Sequence, residues 1–356
     1  ETVKRLYLGN APLSGDEGMP VLPVVPAQFI VPAGKTIASI EILRNQKTTL
    51  SGKNFVEFGK AKIPLIKGAK IKKSVPSAEI YQKDDVYPSE NGSIVTIQKK
   101  RGVTIAVVNM NPVQYNPRSG RIAVYSNLEL RVTLKDENKR LKSSVPVKKK
   151  ELNSATLGVE NPDVLETYED TPGALLNDKK GGICSATDAF SYVLITSQSI
   201  RDAQTTPSVN DLIAQRQAQG LSATTVTIEE ILNNYTGIDD AEKLRNFIID
   251  AYTSWNTQYV ALGGDVSIIP YRNLYCEGEF IPSDLYFQCL DGTFNSDGDT
   301  YWGEPTDGEG GEDVDLMSEV SIGRISAETP EEMANFIYKT LTYENLPAGT
   351  PYLTRA

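Results

Sequence analysis

Between Tyr192 and Asp265 the chain runs strand, helix, strand, helix, strand with short connections, and few folds accept that order. Tyr192-Val-Leu-Ile-Thr196 is an apolar run of strand length. Val209 to Gln219 carries a helical pattern that Gly220 ends. Ala223-Thr-Thr-Val-Thr-Ile-Glu229 returns to strand, and Ala241 to Trp255 is an amphipathic helix with Leu244, Phe247, Ile248 and Tyr252 on one face. Tyr259 to Leu262 is then long enough for a buried strand and too short for a helix. Such alternation predicts a parallel sheet with right-handed crossovers. Gly263-Gly264 turns the backbone sharply and leaves Asp265 beyond the strand's C-terminal end, where ligands of open α/β sheets gather. A further strand is predicted at Glu319-Val-Ser-Ile-Gly-Arg324, after an acidic, glycine-rich loop. The last helix, Ser326 to Tyr343, has a cap, a proline and acids in Thr329-Pro-Glu-Glu.

The first part of the chain has a different period. From Glu1 to Leu134, short alternating or apolar runs such as Gln28-Phe-Ile-Val, Ile37 to Leu43, Val103 to Asn109 and Leu128 to Leu134 are separated by Pro, Gly and Asn. That spacing predicts a β-sandwich over 1–134. Residues 135–182 read as an extended linker anchored by Val164, Leu165 and Tyr168, and 183–356 as the α/β domain. Lys179-Lys180, just before that domain, is either a solvated charge pair or a processing site.

Charge separates the halves. Residues 1–182 hold 28 basic and 19 acidic side chains, a balance of +9; residues 183–356 hold 8 and 27, a balance of −19, which together give the net −10. Opposite balances on one chain predict that the halves dock. The lysines of the basic half alternate along strands and form no helical stripe, which argues against nucleic acid as a partner. No apolar run approaches the length of a membrane span, and Glu1-Thr-Val-Lys is not a signal sequence. Cys184, Cys276 and Cys289 are odd in number, so at least one is unbridged within the chain; Cys276 and Cys289 either bridge in an oxidising compartment or act as small hydrophobes. With no histidine, the chain holds no Cys–His or Ser–His couple.

Inside the acidic loop, Asn295-x-Asp297-Gly298 has the alternation of a calcium loop, although Thr293 stands where its first acid belongs. A solvated acidic loop is the equal alternative. A nucleotide site at Gly263-Gly264-Asp265 lacks the glycine pattern that cradles phosphate.

Five segments in register, Tyr192-Val-Leu-Ile-Thr, Leu212-Ile-Ala-Gln-Arg-Gln-Ala-Gln-Gly-Leu, Tyr259-Val-Ala-Leu-Gly-Gly-Asp with Ile269-Pro270, Ser283-Asp-Leu-Tyr and Val320-Ser-Ile-Gly-Arg, resemble the gingipain-type cysteine peptidases. Gly18-Met-Pro-Val-Leu-Pro-Val resembles that family's pro-domain. The resemblance implies a secreted or cell-surface cysteine endopeptidase acting on protein substrates, with a caspase-like α/β unit of two subdomains. Its catalytic Cys and His would lie in the second subdomain, which would begin where the chain stops at Ala356, so the resemblance assigns no catalytic residue to these positions. The resemblance also implies a calcium ion held by Asp265, Leu290, Asp315, Met317 and Glu319, the leucine and methionine through main-chain oxygens, with Asp313 or Asp291 as alternatives to Asp315. Oxygen-only donors favour calcium over transition metals. A non-enzymatic, calcium-stabilised binding module of adhesin type is the competing reading.

Overall fold

The structure, a computed structural model, describes residues 3–50, 52–61, 73–137, 145–147, 152, 158–171, 182–185, 187–276, 278–304, 306–308, 311, 313–347 and 349–350. Two compact units divide the chain: residues 1–97, 104–139 and 152–168, and residues 98–103, 140–151 and 169–356. Lys179 and Lys180 lie outside the described residues. Among the described residues no helix is long and apolar enough to cross a membrane.

The first unit is built on two three-stranded sheets. One orders β1 (Val25–Ile30), β4 (Val103–Met110) and β3 (Gly92–Lys100); the other orders β2 (Lys35–Leu50), β6 (Arg121–Asp136) and β5 (Val113–Asn116). Phe29 of β1, Ile37 and Ile42 of β2 and Ala106 and Val108 of β4 share one core, with Leu128, Leu130 and Val132 of β6 packed on it. The run Leu128 to Leu134 belongs to a longer strand: one antiparallel ribbon pairs β6 with β2 from Ile122 opposite Leu50 to Asp136 opposite Lys35, and Ser126 Oγ bonds Gln46 Oε1 at 3.0 Å within it. The predicted linker is partly folded. Leu165 and Tyr168 are buried, and the Tyr168 hydroxyl donates to the Val31 carbonyl at 2.8 Å.

The second unit centres on a four-stranded, all-parallel sheet in the order β8 (Ala223–Thr227), β7 (Tyr192–Thr196), β9 (Tyr259–Gly263), β12 (Ser321–Ile325). Side chains alternate across β7 and β9, and each face has its own core. Val193, Ile195, Val260 and Leu262 share a core with Ile228 and Ile231 of α2 (Ile228–Asn234) and Phe247 and Ile248 of α3 (Asp240–Asp250). Leu194 and Ala261 face Leu212 of α1 (Val209–Ala218) and Met333 and Ile337 of α4 (Pro330–Glu344). The unit therefore has three layers, and each fully buried aliphatic side chain stabilises it by about 1.5–3 kcal/mol. The caps follow the sequence: the Glu332 N–H donates to Thr329 Oγ1 at 3.2 Å while the Glu332 carboxylate accepts from the Thr329 N–H at 3.3 Å. The helix predicted through Trp255 ends its α-form at Asp250; Ala251–Trp255 widens into a π-helical turn, which Asn256 closes at φ 59°. Beyond β9 an antiparallel hairpin, β10 (Arg272–Cys276) and β11 (Glu279–Ser283), leads to Asp284 and the acidic loop.

Candidate metal centre

Asp291, Asp315 and Glu319 meet in the second unit. All three are buried, and one oxygen from each lies within 4.8 Å of the others. The chain holds them there with backbone amides. Leu290 N–H donates to Glu319 Oε2 at 2.8 Å, Asp291 N–H to Asp315 Oδ2 at 3.2 Å, and Met317 N–H to Asp315 Oδ1 at 2.8 Å. The unit's short segment 98–103 adds to this frame: Arg101 N–H donates to Glu319 Oε1 at 3.0 Å. Buried Gln98 spans the main chain of the same loop, donating to the Val314 carbonyl at 2.8 Å and accepting from Leu316 N–H at 2.7 Å.

One cation organises the other side. Arg245, on the buried face of α3, donates to the carbonyls of Tyr286, Cys289, Asp291 and Gly292 at 2.8–3.1 Å. Its guanidinium also lies over the Tyr286 ring, 4.7 Å from the centroid. That charge does not balance three carboxylates. Burial, reinforced by Asp291, pushes the Asp315 carboxyl up to about 7; burial with Asp315 and Asp291 raises Glu319 well above the usual carboxylate range. Buried oxygen donors that repel one another suit a hard divalent cation, which turns the same charges into ligands.

The residues implied for calcium are only partly brought together. Asp315 and Glu319 are in the cluster, and Asp291, an alternative, completes it. Leu290 and Met317 bound it through their N–H groups. Asp265 stands apart: its carboxylate accepts from Ser267 N–H at 2.8 Å and Ser267 Oγ at 2.6 Å, closing a turn beyond β9. The reason is the direction of the loop, since Arg324 of β12 gathers the carbonyls of Gly264, Ile269 and Pro270 and pairs with Asp284 at 2.7 Å. Asp313, the other alternative, holds the N–H groups of Thr293 and Asn295, and its carboxylate also takes the Thr293 hydroxyl. Asp307 does the same for Ser296, Gly303 and Glu304. In Asn295-x-Asp297-Gly298, Asp297 accepts from Asp299 N–H at 3.2 Å and joins no carboxylate cluster among the described residues. Cys276 is exposed and Cys289 fully buried, and they are not bridged. Burial raises the Cys289 thiol far above its ordinary range, the opposite of a nucleophile's environment.

Residues 7–163 match the family described as Propeptide_C25 and residues 185–355 match Peptidase family C25. The chain belongs to the gingipain family. It carries a gingipain-type pro-domain followed by a cysteine-peptidase segment. Curated gingipain R2 sequences from two strains of Porphyromonas gingivalis are 23% identical over 352 residues, covering 96% of this chain and 40% of theirs. The chain thus spans 40% of the length of those relatives. Among solved structures, latent gingipain K of the same organism is 23% identical, with a TM-score of 0.28 over 36% of this chain and 71% of its own. Dimeric latent PorU, also of that organism, is 16% identical, with a TM-score of 0.34 over 74% and 22%.

Two of the five gingipain-like segments meet in the Arg324–Asp284 pair, and a third supplies the carbonyls around it. Arg245 and Gln98 are not singled out by the sequence. An arginine adjoining Leu244, among the apolar residues of an amphipathic helix, is the available signal for the first; nothing local marks the second.

Proposed function

We propose that this chain is the pro-domain and first catalytic subdomain of a secreted or cell-surface cysteine endopeptidase made as a zymogen. The order of the two family matches, propeptide then peptidase, carries the reading. The two sheets sharing a core support a sandwich-type pro-domain, and the three-layered parallel sheet supports a caspase-like subdomain. Peptide-bond hydrolysis needs a thiolate beside a base, and these 356 residues contain no histidine. The chemistry therefore belongs to a further catalytic subdomain, protein substrates are bound there, and Lys179-Lys180 is where the pro-domain is released. The 356-residue chain should leave peptide substrates with basic residues uncut, while a longer product of the same gene should cut substrates and lose activity on thiol alkylation. Alkylation-sensitive hydrolysis by the shorter chain would refute the division of labour.

Within this reading the second unit holds one structural calcium through Asp291, Asp315 and Glu319. Bound there, calcium neutralises the cluster and ties both ends of the acidic loop to β12. Ligands would stand at about 2.3–2.6 Å. Calcium at a hundred times its dissociation constant should stabilise the unit by about 2.7 kcal/mol, seen as a higher Tm that a chelator reverses. Glu319→Gln should remove most of that gain. A Tm indifferent to calcium and chelator would sink the assignment.

A further inference from the structure

The hairpin of β10 and β11 carries three aromatic rings in mutual contact. Tyr275 and Phe280 are cross-strand partners with ring centroids 5.3 Å apart. Tyr301 lies 4.5 Å from the first ring and stacks on the second at 5.8 Å and 13°. Phe280 is 52% exposed and Tyr301 40%. Adjoining residues already hold a cation between rings: the Arg272 guanidinium stands 3.8 Å from the centroid of Trp302 and 4.6 Å from that of Tyr286. Among the described residues no such cation lies over the outer three. Charge around them is negative. No lysine or arginine stands between Arg272 and Arg324 in the sequence. The Tyr301 N–H donates to Asp299 Oδ1 at 2.6 Å, which holds an exposed carboxylate beside the cluster.

The backbone of β11 offers a second kind of contact. Tyr275 N–H donates away from the hairpin, to the Trp302 carbonyl at 2.7 Å. Tyr275 and Phe280 are therefore a non-hydrogen-bonded pair of the antiparallel ladder, and the N–H and C=O of Phe280 also point away from β10. No described residue outside the hairpin bonds to them. Glu279 to Pro282 are all exposed, and Pro282 has no N–H to give, so Phe280 is where this edge can exchange both backbone bonds. We propose that β11 is a strand-addition edge for an extended, arginine-bearing segment of another polypeptide, with the arginine opposite Phe280. The residue opposite Phe280 exchanges two backbone bonds with it and projects its side chain on the same face of the sheet, against the rings of Tyr275, Phe280 and Tyr301. A guanidinium there stacks on the aromatic faces beside the Asp299 carboxylate. Arginine suits the site better than lysine because its planar group stacks and is the more weakly hydrated.

The test uses the full chain and a short fluorescein-labelled threonine peptide with one central arginine, followed by fluorescence anisotropy. Saturable binding that weakens as salt rises is expected. Replacing the arginine by citrulline, its neutral isostere, should weaken binding at least about fivefold. N-methylation of the arginine's backbone nitrogen removes the donor to the Phe280 carbonyl and should cost at least about fivefold as well. Phe280→Leu and Tyr301→Leu should each weaken the arginine peptide and narrow its advantage over the citrulline peptide. An unchanged urea midpoint, read by tryptophan fluorescence, shows that these variants keep the fold; if it moves, the two peptide comparisons on the wild-type chain decide. Absence of saturable binding at millimolar peptide would overturn the proposal. Equal affinity for the arginine and citrulline peptides would overturn the aromatic cation site, and equal affinity for the N-methylated peptide would overturn strand addition.

Discussion

Arg324 and Arg245 do the same work in two loops of one unit and leave opposite charge balances behind. Arg324 divides its donors between the carbonyls beyond β9 and the carboxylate of Asp284, so its loop is internally neutralised. Asp265, on that loop, stays near the surface, satisfied by Ser267. Arg245 gives its donors to four carbonyls, and the carboxylates gathered beside those carbonyls outnumber it three to one. The negative residue near the strand end is thus satisfied by the turn of its own loop. The second loop differs in holding three buried carboxylates beside the one charge of Arg245.

The largest test of that contrast is Arg245→Met. It removes the donor from four carbonyls and a buried cation beside the cluster, so the unit should lose about 3–5 kcal/mol. Both tryptophans of the chain, Trp255 and Trp302, lie in the second unit, so their fluorescence in a urea titration reports on that unit directly. A loss under about 1 kcal/mol would mean that the loop is held by its carboxylate–amide contacts alone.

A double-mutant cycle on Arg324→Met and Asp284→Asn should give a smaller effect, with a coupling of about 1–3 kcal/mol for a bidentate, half-buried pair. Calcium should still raise the Tm of the double variant. If the pair shows no coupling, Arg324 does not neutralise its loop through Asp284.

Legibility followed the range of the interactions. The β7 and β9 strands, α1 and the α4 cap are written in runs and spacings of a few residues and stand where those patterns put them, whereas the run Ala223–Glu229 is strand only as far as Thr227, which caps a helix opening at Ile228. The Arg324–Asp284 pair was visible only as two separate segments, because its partners lie 40 positions apart. The carboxylate cluster was half visible. Glu319 opens a predicted strand and Asp315 lies just before it, but whether Asp291, Asp313 or Asp265 joins them depends on loop paths that side chain–amide bonds decide. Asp313 and Asp307 went to backbone N–H groups, and only the folded loop shows that. Gln98 lies 216 positions from Val314, beyond any local pattern.

The smallest expected effect falls on Asp265, and it discriminates most sharply. Hydrogen bonds from Ser267 hold the Asp265 carboxyl below its ordinary range, while its bond to Asp265 and the adjacent negative charge raise Glu328. The two shifts have opposite consequences. A depressed carboxylate contributes stability above its unfolded pKa of about 3.9 and loses it as pH falls through the lower folded value; a raised one contributes below its unfolded pKa of about 4.3 and loses it as pH rises through the higher folded value. Near neutrality the Asp265 contribution is present and the Glu328 contribution is gone, leaving repulsion between two exposed acids. Glu328→Gln should therefore raise Tm slightly at pH 7 and leave it unchanged at pH 3, and added salt should shrink the difference. Asp265→Asn should leave the calcium-induced rise in Tm intact, whereas Glu319→Gln removes it. If Asp265→Asn instead abolishes the calcium response, the ion sits at the neutralised loop after all, and the charge-balance argument separating the two arginines fails.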